Sequence, residues 1–133
     1  MTRKKIDRIS VIYREKIVWL QWYFLKDKED KRYTILEKKL FDSAKNRDLL
    51  AYQKYSTIKQ IIDIRIQTSN EDILKAVKEV YVYKRTNVIG ACQNILYLSP
   101  TAAYNHLNAW FNVYSDLYFS IVPLPSMAAY NRL

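Results

Sequence analysis

"NVIGACQNILYLSPTAAYNHLNAW", residues 87 to 110, decides how this chain is read. Val88, Ile89, Cys92, Ile95 and Leu96 recur at three- and four-residue steps, the spacing of one helix face. Ser99 and Pro100 then signal a new helix, because a serine hydroxyl caps exposed amides and a proline at the first helical position has no amide to leave unbonded. Ala103, Leu107 and Trp110 restore the apolar spacing, with Leu98 expected to plug the turn between. A supporting helix, a short turn and a second helix with one buried face is the layout of a helix-turn-helix. On pattern alone it fits an ordinary helical hairpin equally well. In either case Ser99, Pro100, Thr101, Ala102, Tyr104, Asn105 and Asn108 point outward. Asparagine can pair bidentately with adenine, and Thr or Ala can touch thymine methyl groups.

The rest of the chain is also helical in character. Among 133 residues there is one glycine, Gly90, and three prolines, so the punctuation that hairpins and barrels require is missing. Half the residues are hydrophobic and 26% are charged, a globular balance that predicts an all-α fold. Cys92 stands alone, and no basic segment followed by an apolar run resembles a signal peptide, which predicts a cytoplasmic protein. "IVWLQWYFL" at 17 to 25 is far shorter than the roughly 20 residues that span a bilayer, so no membrane contact is expected.

Upstream, Ile9, Ile12, Tyr13, Ile17, Leu20 and Phe24 form one helical stripe, followed by the mixed-charge run "KDKEDKR" at 26 to 32. Thr34 is a candidate N-cap. From there Ile35, Leu36, Leu40, Phe41, Leu49, Leu50, Tyr52, Tyr55, Ile58, Ile61 and Ile62 predict one long helix or two separated near Asn46. "IIDIRI" at 61 to 66 also alternates like a strand but has no partner, so helix is preferred. Ser69 is read as the next cap, with Asp72 reaching back to it, and this helix is expected to end near Lys84 and Arg85. The expected organisation is a helical N-terminal region of long amphipathic helices at 1–68, suited to oligomerisation or a partner, a three-helix unit at 69–119, and a tail at 120–133 with two prolines.

Convergent catalytic groups are scarce. His106 is the sole histidine and is expected to be a satisfied structural residue, Cys92 reads as a small hydrophobe, and Asp27, Glu29 and Asp30 belong to a solvated run. The expectation is a protein that is not an enzyme and needs neither metal nor cofactor. Charge points elsewhere. The formal net charge is +9, and residues 1–66 hold 17 basic against 9 acidic groups while residues 67–133 hold 5 against 4. Such a field attracts polyanions.

The run from Val80 to Tyr118, "VYVYKRTNVIGACQNILYLSPTAAYNHLNAWFNVYSDLY", resembles the C-terminal helix-turn-helix of the RinA and ArpU group of phage transcriptional regulators. The resemblance is carried by Tyr81, Tyr83 and Lys84, by the turn Leu96, Tyr97, Leu98 and Ser99, and by Ala102, Ala103 and Tyr104. It departs at Gln93, where a small residue is usual, and at Asn105 and His106, where a cation usually follows the aromatic residue. The resemblance implies a phage or prophage activator of late genes that binds promoter double-stranded DNA, as a homodimer, and recruits bacterial RNA polymerase, acting in the host cell with a possible regulatory protein partner. Candidate groove contacts are Ser99, Thr101, Ala102, Tyr104, Asn105 and Asn108. Candidate phosphate contacts are Lys84, Arg85, Arg3, Lys4 and Lys5. The alternatives are a helical interaction protein that does not touch DNA and a phage small terminase subunit.

Overall fold

The computed structural model describes residues 7–121. Its helices are α1 (Arg8–Ile12), α2 (Arg14–Phe24), α3 (Ile35–Lys45), α4 (Leu49–Gln67), α5 (Glu71–Val77), α6 (Val88–Ala91) and α7 (Pro100–Ile121). α5 runs on into a π-helical turn, Lys78–Val82, and α6 into a second, Cys92–Leu96. Extended pairing among the described residues is confined to one antiparallel bridge, Lys26 with Thr34, so the fold is all-α as expected, and "IIDIRI" is helical within α4. No helix among them is long and apolar enough to cross a membrane.

Local chemistry explains the joints. Thr34 makes a full capping box with Glu37, each side chain bonding the other residue's backbone amide, and this starts α3. Arg47 enters the left-handed region at φ 55° and Asp48 caps α4 through the Ala51 amide, so the two-helix reading near Asn46 is the correct one. Two expectations fail here. The stripe of the first helices is interrupted at Tyr13, which separates α1 from α2 and leaves Ile12 65% exposed. Leu49, Leu50 and Tyr52, expected on a buried face, are solvent-exposed at the start of α4.

The start of α5 also differs from the reading. Asn70, not Ser69, is the cap: its Oδ1 accepts from the amides of Asp72 and Ile73 at 2.9 and 3.2 Å. Ser69 serves the tertiary fold instead, donating to the Arg65 carbonyl and accepting from Trp110 Nε1 at 2.8 Å. Beside it lies Arg65, buried at 8% exposure. Its guanidinium donates to the Trp110 carbonyl and to Thr68 Oγ1 and rests 4.9 Å from the Trp110 ring centroid. Burial lowers its pKa, but hydrogen bonds and the indole face take the place of a carboxylate partner.

One hydrophobic cluster draws on both sides of residue 68, from Ile9, Ile17 and Leu20 through Ile61 and Val77 to Leu107 and Tyr114. Phe111 is its hub. That ring stacks on Tyr13 at 5.2 Å and meets Tyr81 and Trp110 edge-on at 5.3 and 5.0 Å. Packing this many tyrosines inward has a pH consequence. Burial, reinforced by neighbouring carboxylates, raises the pKa of Tyr13, Tyr81 and Tyr114, and burial with the Asp63 hydrogen bond pushes Tyr23 from the ordinary 10.0 to about 12. A raised folded pKa means the unfolded chain releases these protons first, so their contribution to stability is intact below pH 10.0 and falls as pH climbs toward the folded values. Far-UV circular dichroism should therefore show the helices retained up to about pH 10 and lost in one cooperative step above it.

Candidate nucleic-acid interface

The joint between α6 and α7 is built by three local devices. Asn87 caps α6, accepting from the Gly90 amide at 2.8 Å, and a Cβ at Gly90 would lie 2.0 Å from Thr86 Oγ1, so a larger residue there requires the threonine side chain to rotate away. Tyr97 turns the chain in the left-handed region at φ 53°, which frees the direction of the next helix. Ser99 Oγ then accepts from the Ala102 amide at 3.2 Å, the cap expected of it. Ala103, Leu107 and Trp110 are buried as the back of α7, and Ala91 and Cys92 are buried on the preceding helix.

Other expectations for this joint are corrected. Leu98 does not plug the turn: it is 38% exposed, and Tyr97 beside it is 79% exposed. Ile89 also faces solvent. Gln93 is exposed and therefore does not lie between the two helices. The lone histidine, His106, is exposed and is no structural core residue.

Along the N-terminal half of α7 lies an open groove of about 1180 Å³, bounded on one side by α1 and α2 and on the other by the π-turn after α5, by α6 and by the start of α7. Lys84, Thr101 and Asn105, three of the residues singled out from the sequence, line it together. So do Arg8 and Arg14, neither of them among the candidate contacts expected from the sequence. Both are exposed, and among the described residues neither they nor Lys84 enter an ion pair. Arg8, Arg14 and Lys84 thus supply the cations that α7 itself lacks.

Tyr104 also lines the groove but is not free to reach a ligand through its hydroxyl. That hydroxyl donates to Asp7 Oδ1 at 3.1 Å and accepts from the Ile9 amide at 3.2 Å, tying α7 to α1. Burial chiefly, with Asp7 adding to it, raises the Tyr104 pKa, and the same causes raise that of Tyr81, whose hydroxyl lies 3.4 Å from the same carboxylate oxygen. Asp7 is the one acid lining the groove, and two tyrosines plus the Ile9 and Ser10 amides occupy its Oδ1.

The remaining candidates are not brought to this groove. Arg85 folds back onto Glu79, with Nη2 at 2.7 Å from its carboxylate, and lies over the Tyr83 ring at 4.6 Å. Ser99 is spent as a cap, while Ala102 and Asn108 are half-buried outside the groove lining. Arg3, Lys4 and Lys5 lie outside the described residues. Comparison of the chain with protein-family models, with curated proteins and with solved structures finds no match.

What the groove can do follows from its lining. Three cations, the hydroxyls of Thr86 and Thr101 and the side-chain amides of Asn87 and Asn105 favour an anion presented at several points rather than a single buried charge, while Gln21 Nε2 donates to the Tyr81 carbonyl. Among the described residues no group of three metal-ligating side chains converges.

Proposed function

We propose that the chain is a DNA-binding transcriptional regulator whose interface is this groove together with the exposed N-terminal turns of α7. The observation that carries the reading is the convergence of Arg8, Arg14 and Lys84, none ion-paired among the described residues, on Thr101 and Asn105 directly after a three-residue interhelical joint. Cations on both walls neutralise phosphates and fix register, while Thr101 and Asn105 are the side chains placed to read base edges. In its fuller form, supported by the resemblance of residues 80–118 to the RinA and ArpU group, the protein activates late phage genes by bringing RNA polymerase to their promoter. Binding to a labelled duplex, measured by fluorescence anisotropy at several salt concentrations, tests the core of this reading. A linear fall of log affinity with log salt is expected, and no binding at 50 mM salt contradicts it.

For the homodimer, we place the contact at the tip of the α3–α4 hairpin. Leu49 and Leu50 are 79% and 82% exposed at the start of α4, with Tyr52 exposed one turn on, and exposed large apolar side chains grouped in this way are a common mark of an association surface. A Leu49→Asp, Leu50→Asp double variant should run as a monomer by light scattering at concentrations where the parent is dimeric, and should bind a two-half-site duplex less tightly. The same tip supports the interaction-protein reading if the parent binds no DNA. Ring-sized oligomers in the same light-scattering measurement would favour a terminase-like assembly.

A further inference from the structure

DNA binding leaves part of the groove unused. Between the cations its floor is aliphatic, formed by Val18 and the buried Ile17 of α2, Val80 of the π-turn, and Val88 and Ile89 of α6. A phosphate ridge can engage Arg8, Arg14 and Lys84 but gains nothing from five aliphatic side chains. From this we infer that the groove also takes an acidic amphipathic helix of a partner protein, which competes with DNA. The competition rests on the DNA reading of the same groove, whereas the docking of the helix does not.

Four features choose this occupant. At about 1180 Å³ and open to solvent, the groove exceeds the usual range of roughly 300–1,000 Å³ for small-molecule pockets. Its charge is complementary to an acid: three cations line it, and the single carboxylate, Asp7, is held by the Tyr81 and Tyr104 hydroxyls. A single-stranded nucleic acid would need aromatic faces for its bases, yet the two lining tyrosines are tied down, Tyr81 at 4% exposure and Tyr104 by its bonds to α1. A peptide that adds a strand would need an open sheet edge, and the described residues form no sheet; a proline-rich one would need an aromatic-lined groove, and an acidic extended one would engage the cations but leave the aliphatic floor uncovered. A helix in a groove remains, with apolar residues at three- and four-residue spacing on the aliphatic floor and carboxylates toward the rim.

The test uses the full chain and two fluorescein-labelled 14-residue peptides of identical composition at 150 mM salt. In one, leucines recur at three- and four-residue steps with glutamates on the other face; in the second the same residues are rearranged so that no apolar face forms. Anisotropy should show the first binding about tenfold or more tighter, and adding it should release bound duplex DNA. Val18→Gln with Val88→Gln should weaken the peptide by about tenfold while changing DNA affinity by less than about threefold, and Arg8→Ala, Arg14→Ala, Lys84→Ala should weaken both. Should the double variant lose its helical circular dichroism, Ile89→Gln serves in its place, since Ile89 is already 45% exposed. Equal binding of the two peptides, no binding of either, or indifference to the glutamine substitutions overturns the inference while leaving the DNA reading intact. Peptide binding by a chain that does not bind DNA supports the docking site and removes the competition.

Discussion

Replacing Phe111 by alanine should cost about 3–5 kcal/mol, a large part of the roughly 5–15 kcal/mol that holds a domain of this size folded. Phe111 is fully buried, and its ring is contacted by aromatic side chains from α1–α2, from the π-turn after α5 and from its own helix. Truncation removes the transfer energy of the ring and leaves a cavity between Tyr13, Tyr81 and Trp110 that rigid aromatic neighbours fill poorly. The melting temperature should drop by roughly 10–30 °C, since about 3–6 °C is lost per kcal/mol at this length. Phe111→Leu, which keeps most of the apolar volume, should recover about half of the loss. An unchanged melting temperature for the alanine variant would mean that the aromatic cluster is not the core.

The second large effect concerns binding. Arg8→Ala, Arg14→Ala, Lys84→Ala together should make the slope of log affinity against log salt shallower by close to 3, since each phosphate contact contributes about 0.9. Arg85→Ala provides the contrast. Its guanidinium is engaged with Glu79 and the Tyr83 ring, so the slope should hardly change, and loss of that exposed pair should cost no more than about 1 kcal/mol of stability. The reverse pattern, with Arg85 carrying the salt dependence, would place the nucleic acid on the opposite side of the π-turn.

Much of the fold was legible because it rests on local chemistry. The cap at Thr34, the Ser99–Pro100 start of α7 and the burial of Ala103, Leu107 and Trp110 each follow from residue type and spacing within one helical turn. Where the reading failed, the deciding partner was distant in sequence. Ser69 had the right chemistry for a cap, but Trp110 claims its oxygen. Leu49 and Leu50 had the right spacing for a core, but among the described residues no element covers them. The π-helical turns at Lys78–Val82 and Cys92–Leu96 left no mark in the periodicity, because one extra residue in a turn shifts a short stripe by less than the stripe's own width.

The candidate site was half legible for the same reason. Lys84, Thr101 and Asn105 lie within 22 residues of one another in the chain, and the interhelical joint brings them to one groove. Arg8 and Arg14 reach it only because α1 is clamped to α7 through Asp7 and Tyr104, a contact spanning 97 residues. A hint was present in the polar positions Arg8, Arg14 and Gln21, which border the groove, while Ile9 and Leu20 of the same helices are buried away from it.

The most direct test of the groove as the nucleic-acid interface is an NMR titration of the full chain with a 20-base-pair duplex of arbitrary sequence at low salt, following side-chain N–H signals. Non-specific affinity suffices for this at micromolar to submillimolar concentrations. The Nε–H resonances of Arg8 and Arg14 and the side-chain amides of Asn87 and Asn105 should shift together with added DNA, while Arg47 and Arg85 stay put. Shifts confined to Arg47, Arg85 or the α3–α4 tip, with Arg8, Arg14 and Asn105 unmoved, would contradict the account.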